Sequence, residues 1–206
     1  MSQPVPRPQI FSVIRGYDYH SIIIDITIDQ FLNEVLQLTI EGVNTSIVER
    51  IDDLKAVMQA VGSENATIFA LSEGGPVSIL FAATYPQKVK RLILFGAMAK
   101  FWGTDDYPHM AHIKYMDKAI ENVASNWGKG NFAALAGPKG GFNSETQLLL
   151  GKMERMASSP SGVKKFMAAN SLIDVRPILP DVIQHTLVIQ RRHDQMVRRG
   201  NGRYFA

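Results

Sequence analysis

Ala66-Thr67-Ile68-Phe69-Ala70-Leu71-Ser72-Glu73-Gly74-Gly75 is the stretch that decides how the chain is read. Strand formers run up to Ser72, and a helical pattern over residues 78–85 follows at once. A serine on a tight strand-to-helix turn is held in a strained backbone conformation, so its neighbours two positions either side must be small. Ala70-Leu71-Ser72-Glu73-Gly74 is the small-x-Ser-x-Gly form of this nucleophile elbow, with Ala70 where Gly is usual. The turn lifts the hydroxyl above the sheet and aims the next backbone N–H, that of Glu73, at a developing oxyanion. Five residues alone also fit an ordinary glycine-rich turn; the strand before and the helix after favour the elbow.

Working outward, residues 45–61 form the clearest helix. Ser46 and Glu49 make a capping box, Gly62 supplies the stop, and Ile47, Ile51, Leu54, Met58 and Val61 share one face. Arg50, Asp53 and Gln59 are assigned to the outer face. Pro86 ends the helix after the elbow, and residues 89–95 read as a buried strand. Strand, helix and strand at this short spacing predict an α/β fold, a mainly parallel sheet with helices on both faces. Ligands of such sheets sit at the carboxyl ends of strands, where Ser72 falls. Residues 21–28 are β-branched and predict an earlier strand; residues 31–40 fit a helix or a strand equally. Over residues 101–171 helical patterns dominate (110–126, 144–156, 161–170), separated by glycines, and predict a helical insertion. The sheet resumes at residues 186–190.

Composition bounds the function classes. The 206 residues are 46% hydrophobic and 20% charged, with net charge +3, which suits a packed domain carrying an insertion. Basic and aromatic residues do not interleave as in a base-stacking surface, so no nucleic-acid partner is expected. No apolar run nears the roughly 20 residues of a membrane span, and the proline-rich start lacks a signal peptide's apolar stretch. Cysteine is absent, which removes disulfides and thiolate chemistry and fits a cytoplasmic location.

Asp194 follows the late strand, in Arg191-Arg192-His193-Asp194. An acid at this place orients and stabilises the imidazolium of a Ser…Asp…His triad; an aspartate there is also a common turn former. Residues 195–206 contain no histidine to serve as the base. His193 precedes the acid, His185 opens the strand at the end away from the site, and His109 and His112 lie in the insertion as solvated polar positions. His109 and His112 have a metal-pair spacing with no third ligand, so no metal is expected. No Gly-x-Gly-x-x-Gly follows an early strand, which sets aside a dinucleotide cofactor.

From about Val48 onward the chain resembles an α/β-hydrolase family often fused or associated with adenylate/guanylate cyclase domains in actinobacteria and related bacteria. The resemblance rests on residues 49–58, on Leu71-Ser72-Glu73-Gly74-Gly75-Pro76, on residues 81–86 and on Asn126-Trp127-Gly128-Lys129-Gly130. Ile173-Asp174-Val175-Arg176, Leu179-Pro180, Thr186-Leu187-Val188 and Asp194 complete it. It implies a hydrolase core over residues 46–100 and 172–206, a helical cap over 101–171, and a divergent segment over 1–45. It also implies Ser72 as nucleophile, Asp194 as acid, Glu73 N–H as oxyanion donor, and Phe101, Trp102 and Trp127 as candidate pocket-lining residues. The expected substrate is a small ester or related acyl compound, with a cyclase domain as partner in related proteins and no cofactor. The family's His-Gly oxyanion loop and Arg-Gly-x-Gly turn are not found before residue 45; Arg15-Gly16-Tyr17-Asp18 matches the turn poorly. The chain therefore reads as truncated at both ends, and as either a hydrolase impaired by the missing base or an inactive remnant or binding module.

Overall fold

The computed structural model describes residues 13–15, 18–21, 47–135 and 142–205. In chain order these form β1 (Val13–Arg15), β2 (Asp18–Ser21), α1 (Ile47–Ala60), β3 (Ala66–Leu71), α2 (Gly74–Thr84) and β4 (Val89–Phe95). Then come α3 (Met116–Ser125), α4 (Asn131–Ala134), α5 (Ser144–Ala157), α6 (Pro160–Asn170), β5 (His185–Ile189) and α7 (Gly200–Tyr204). The sheet order is β1-β2-β3-β4-β5. β3, β4 and β5 run parallel, with Leu71 opposite Phe95 and Phe95 opposite Ile189, so the three strands end at one edge. β1 and β2 form an antiparallel hairpin whose second strand lies antiparallel to β3. Of the strand expected over 21–28, only Ser21 is described, as the end of β2; the segments at 31–40 and the capping Ser46 lie outside the described residues.

One face of the sheet carries α1 and α2. Ile51, Leu54 and Met58 of α1, Val77, Phe81 and Ala82 of α2, and Ile68, Val89 and Leu92 of the strands form a single buried cluster. Burial of these side chains, each contributing about 1.5–3 kcal/mol for the larger aliphatics and aromatics, fixes the helices to the sheet. Arg50 departs from expectation. Its side chain is not on the solvent face but 1% exposed, donating from Nη2 to Asn170 Oδ1 at 2.8 Å, with its guanidinium 5.3 Å over the Phe166 ring. Position 50 lies three residues after Ile47 and four before Leu54, so helical spacing puts it on the buried face whatever its charge.

The chain leaves and re-enters this core at one place. Val175 N donates to Ala99 O at 2.8 Å and Phe101 N to Ile173 O at 3.3 Å, which ties the two ends of the 101–171 stretch together. Within it, Asn143 caps α5 by accepting from Thr146 N, and Ser159 caps α6 by accepting from Gly162 N, with Pro160 in the first turn where its missing N–H is harmless. The helix expected over 110–126 is shorter: Ile113–Tyr115 is a 3-10 turn and α3 begins at Met116. The residues before it belong to the core instead. Tyr107 is fully buried with Ala70, Leu94 and Ile173, its hydroxyl donating to Asn201 Oδ1 of α7 and accepting from Ala99 N at 3.1 Å.

Candidate active site

Ser72 sits on the turn from β3 to α2 with φ 54, the one described non-glycine residue in the left-handed region. Two hydrogen bonds fix it there: Ser72 N donates to Phe95 O at 3.0 Å, continuing the ladder to β4, and Gly75 N donates to Ser72 O at 3.0 Å. Such a conformation costs an L-residue on the order of 1–3 kcal/mol and persists only where its surroundings over-determine it. Gly75 is required by close approach, because a Cβ there would lie 2.4 Å from Ala97 Cβ. The elbow is thereby wedged against the loop leaving β4.

That loop also meets the acid. A Cβ on Gly96 would stand 3.8 Å from Asp194 Oδ2, so Asp194 lies beside the carboxyl end of β4, at the edge where β3 delivers Ser72. The Asp194 carboxylate is 4% exposed and fully engaged. Its Oδ1 accepts from Met196 N and Val197 N, both at 2.9 Å, and its Oδ2 accepts from Arg191 Nε at 3.0 Å and Nη2 at 2.7 Å. The backbone bonds shape the turn into α7; the guanidinium takes the kind of place an imidazole N–H takes in a triad.

His185 and His193 are exposed. His112 is paired with Asp105 at 3.3 Å and accepts from Lys114 N at 3.1 Å. His109, expected to be solvated, is instead half-buried between Tyr107 and Tyr204, its ring centroid 5.0 and 5.8 Å from theirs. It fills the space beside Gly200, where a Cβ would come within 2.3 Å of its Nδ1.

The aromatic residues build a core within the 101–171 stretch. Trp102 and Trp127 are buried with Ala124, Val163, Phe166 and Met167, and Phe101 packs beside them. The Trp102 indole N–H donates to Ser171 Oγ at 2.9 Å, and that of Trp127 to Ser158 O at 2.7 Å. The glycines after Trp127 have their own reason. Gly128 and Gly130, at φ 86 and 76, wrap their N–H groups onto the buried Glu154 carboxylate, both at 2.8 Å, and Phe132 N adds a third bond at 3.1 Å.

The side chain that the sequence reading passed over is that of Glu73. It is 6% exposed, beneath the elbow. Burial pushes its carboxyl up to about 7; hydrogen bonds from the Ser72 side chain and from its own backbone N–H, and the Arg50 charge, draw it part of the way back. The readable signals were a glutamate inside an otherwise small and apolar elbow and an arginine at buried-face spacing on α1.

A family model described as alpha/beta hydrolase fold matches residues 14–206. The chain belongs to the alpha/beta hydrolase fold family. The family's parallel sheet with helices on both sides is also that of its structural neighbours. An esterase from Exiguobacterium antarcticum superposes with TM-score 0.68 at 21% identity, covering 78% of this chain and 61% of that one. A hydrolase from Oleispira antarctica gives TM-score 0.66 at 18% identity, covering 79% and 60%. Among curated proteins, the 2-hydroxy-6-oxo-6-phenylhexa-2,4-dienoate hydrolase of Comamonas testosteroni is 27% identical over 159 residues, 72% of this chain and 53% of the relative. The chain thus spans about half the length of that relative.

Proposed function

We propose that this alpha/beta hydrolase carries the nucleophile and the acid of a serine hydrolase acting on an ester or related acyl substrate. The observation that carries the reading is Ser72 at φ 54 on the β3–α2 turn. Ser72 Oγ attacks the acyl carbon, the Glu73 N–H meets the oxyanion, and Asp194 orients a base. Similarity to proteins named as an esterase and as a dienoate hydrolase supports hydrolysis as the reaction type. The Glu-Gly-Gly-Pro continuation of the elbow and the Trp127 loop favour the cyclase-associated branch. Phe101, half-buried with its neighbours Trp102 and Trp127 committed to the cap core, is the aromatic residue proposed to border the acyl pocket.

Residues 195–206 supply no histidine, so the 206-residue chain on its own should turn over esters poorly. The second reading, a binding module without turnover, is favoured by one observation: both Asp194 oxygens are already filled. Chemical rescue separates the two. Hydrolysis of a short-chain nitrophenyl ester is compared for the chain and Ser72→Ala, with and without added imidazole as the base. The hydrolase reading expects a rate near the control alone and a Ser72-dependent rise with imidazole. Identical rates in both chains under both conditions would leave the binding module. Ser72-dependent turnover without imidazole at an ordinary enzymatic rate, on the order of 1–10³ per second, would show that another group supplies the base.

A further inference from the structure

Asp194 is saturated from within its own loop. An ionised carboxylate offers about four acceptor sites, two on each oxygen. Oδ1 takes the N–H groups of Met196 and Val197, both at 2.9 Å. Oδ2 takes Arg191 Nε at 3.0 Å and Arg191 Nη2 at 2.7 Å. Oδ2 is also the oxygen beside the end of β4. It stands 3.8 Å from the Cβ position of Gly96, and the preceding carbonyl, Phe95 O, is the one that holds Ser72 N. With Oδ1 given to the backbone, an imidazole N–H that bridges acid and nucleophile has to take a site on Oδ2. Arg191 holds both.

The two pairs of donors are held in different ways. The N–H groups of Met196 and Val197 belong to the turn that leads into α7. That turn is fixed by the burial of Val197 and by Asn201, whose Oδ1 accepts from the Tyr107 hydroxyl. They stay as long as the turn stays. The Arg191 donors sit on a long flexible side chain that is 37% exposed, against 4% for Asp194. A guanidinium at that exposure can exchange the carboxylate for water, whereas the buried carboxylate needs another donor in its place. The acid can therefore keep its position through Oδ1 while Oδ2 changes partner.

We propose that Arg191 is a positioning residue that acts through Asp194: it occupies the oxygen a triad base must bond, so a base engages the acid only by displacing the guanidinium. The role rests on Ser72 and Asp194 being nucleophile and acid. Once Arg191 is displaced, the imidazole N–H donates to Oδ2. Its other nitrogen takes the Ser72 proton as Oγ bonds the acyl carbon and the ester's alkoxide departs. Water then releases the acyl group by the same route. With no base bound, Arg191 keeps the buried charge compensated.

Two measurements on the 206-residue chain test it. The first is imidazole rescue of nitrophenyl ester hydrolysis at about pH 8, where imidazole is mostly neutral. The readout is the initial slope of rate against imidazole, with the Ser72→Ala rate subtracted. Arg191→Ala should raise that slope roughly tenfold, because a competing pair of charge-assisted bonds is gone. In the Asp194→Asn background, with no carboxylate to compete for, Arg191→Ala should bring no gain. A merely structural role for Arg191 would lower the slope or leave it unchanged, and either result overturns the proposal. A gain that persists in Asp194→Asn also overturns it, since a smaller side chain would then simply have opened the site. Should Arg191→Ala fail to fold, Arg191→Gln keeps the stem, drops the charge and carries the same expectation.

The second measurement needs no nucleophile. In the Ser72→Ala chain, the Arg191 Nε shift is read through Cζ by ¹³C-detected NMR, with Arg191→Gln assigning the resonance. Added imidazole should move it toward the shift of a solvated arginine. With Asp194→Asn as well, imidazole should leave it where it starts. A resonance that imidazole does not move overturns the proposal, whatever the hydrolysis shows. A resonance that moves while imidazole rescues no chain containing Ser72 sinks the nucleophile reading instead, and leaves Arg191 as the displaceable partner of Asp194.

Discussion

Two glutamates are buried among the described residues, and they are buried differently. Glu154, in the helical 101–171 stretch, is 1% exposed and takes three backbone N–H bonds, from Gly128, Gly130 and Phe132. Glu73, under the elbow, is 6% exposed and is pushed up to about 7 by burial. Burial penalises a charge in both places; what differs is the donors preorganised around it. The loop around Glu154 has two glycines in left-handed conformations whose geometry serves the carboxylate. The turn around Glu73 has its geometry set by Ser72. Around Glu154 the chain is bent to fit the acid, and at the elbow the acid must take what the bent chain leaves.

The largest expected effect is therefore at Glu154. Glu154→Ala leaves three N–H groups without their acceptor in a buried loop and should destabilise the chain by on the order of 3–5 kcal/mol. Urea unfolding followed by tryptophan fluorescence reads it, since Trp127 begins the same loop. Glu154→Gln keeps one acceptor oxygen and should lose less. A loss under about 1 kcal/mol for the alanine variant would mean that solvent replaces the carboxylate, and the contrast with Glu73 would fall.

At the elbow the sign reverses. The folded-state value for Glu73, about 7, lies above its ordinary value of 4.5, so between these two the native state binds more protons than the unfolded state. Stability contributed by this group thus falls as pH rises through that window and is flat above it. At about 1.4 kcal/mol per pKa unit, the charge burdens the fold at pH 8 by on the order of 3 kcal/mol. Glu73→Gln should be close to neutral at about pH 4.5 and stabilising by up to that amount at about pH 8. Urea midpoints at the two pH values check it; a Glu73→Gln effect that does not change with pH would place the carboxylate in water.

The sequence made the elbow legible because its geometry constrains residue size on both sides: Ala70 and Gly74 are visible without coordinates. β4 and β5 were legible from their strand-forming runs, although Lys90 and Arg91 interrupt the first. The burial of Arg50 and of Glu73 was not. Arg50 was assigned outward by its charge, while its spacing from Ile47 and Leu54 already put it inward. The Trp-Gly-x-Gly loop stood out as a signature, but its cause, Glu154, lies 24 residues beyond Gly130, and local patterns carry no such distance. Tyr107 and Asn201 are further apart still, separated by 94 positions, so the core membership of residues near 107 was hidden within a helical insertion.

The smallest effects lie in the backbone and sharpen the same contrast. Gly128→Ala puts a Cβ at φ 86 and 2.6 Å from Arg155 Cγ, a flexible side chain that can shift, so about 1–2 kcal/mol of destabilisation follows mainly from the left-handed backbone. Ser72→Gly should act the other way. At φ 54 the serine carries a penalty of about 1–2 kcal/mol that glycine lacks, while glycine adds about 0.4–1 kcal/mol of unfolded-state entropy to be lost on folding. The net is a stabilisation of about 1 kcal/mol or less. Urea midpoints near pH 5.5, where burial keeps Glu73 mostly neutral, check it. A Ser72→Gly variant less stable than the wild type at pH 5.5 would show that the turn holds its serine without strain, and that the conformation proposed to serve chemistry costs the fold nothing.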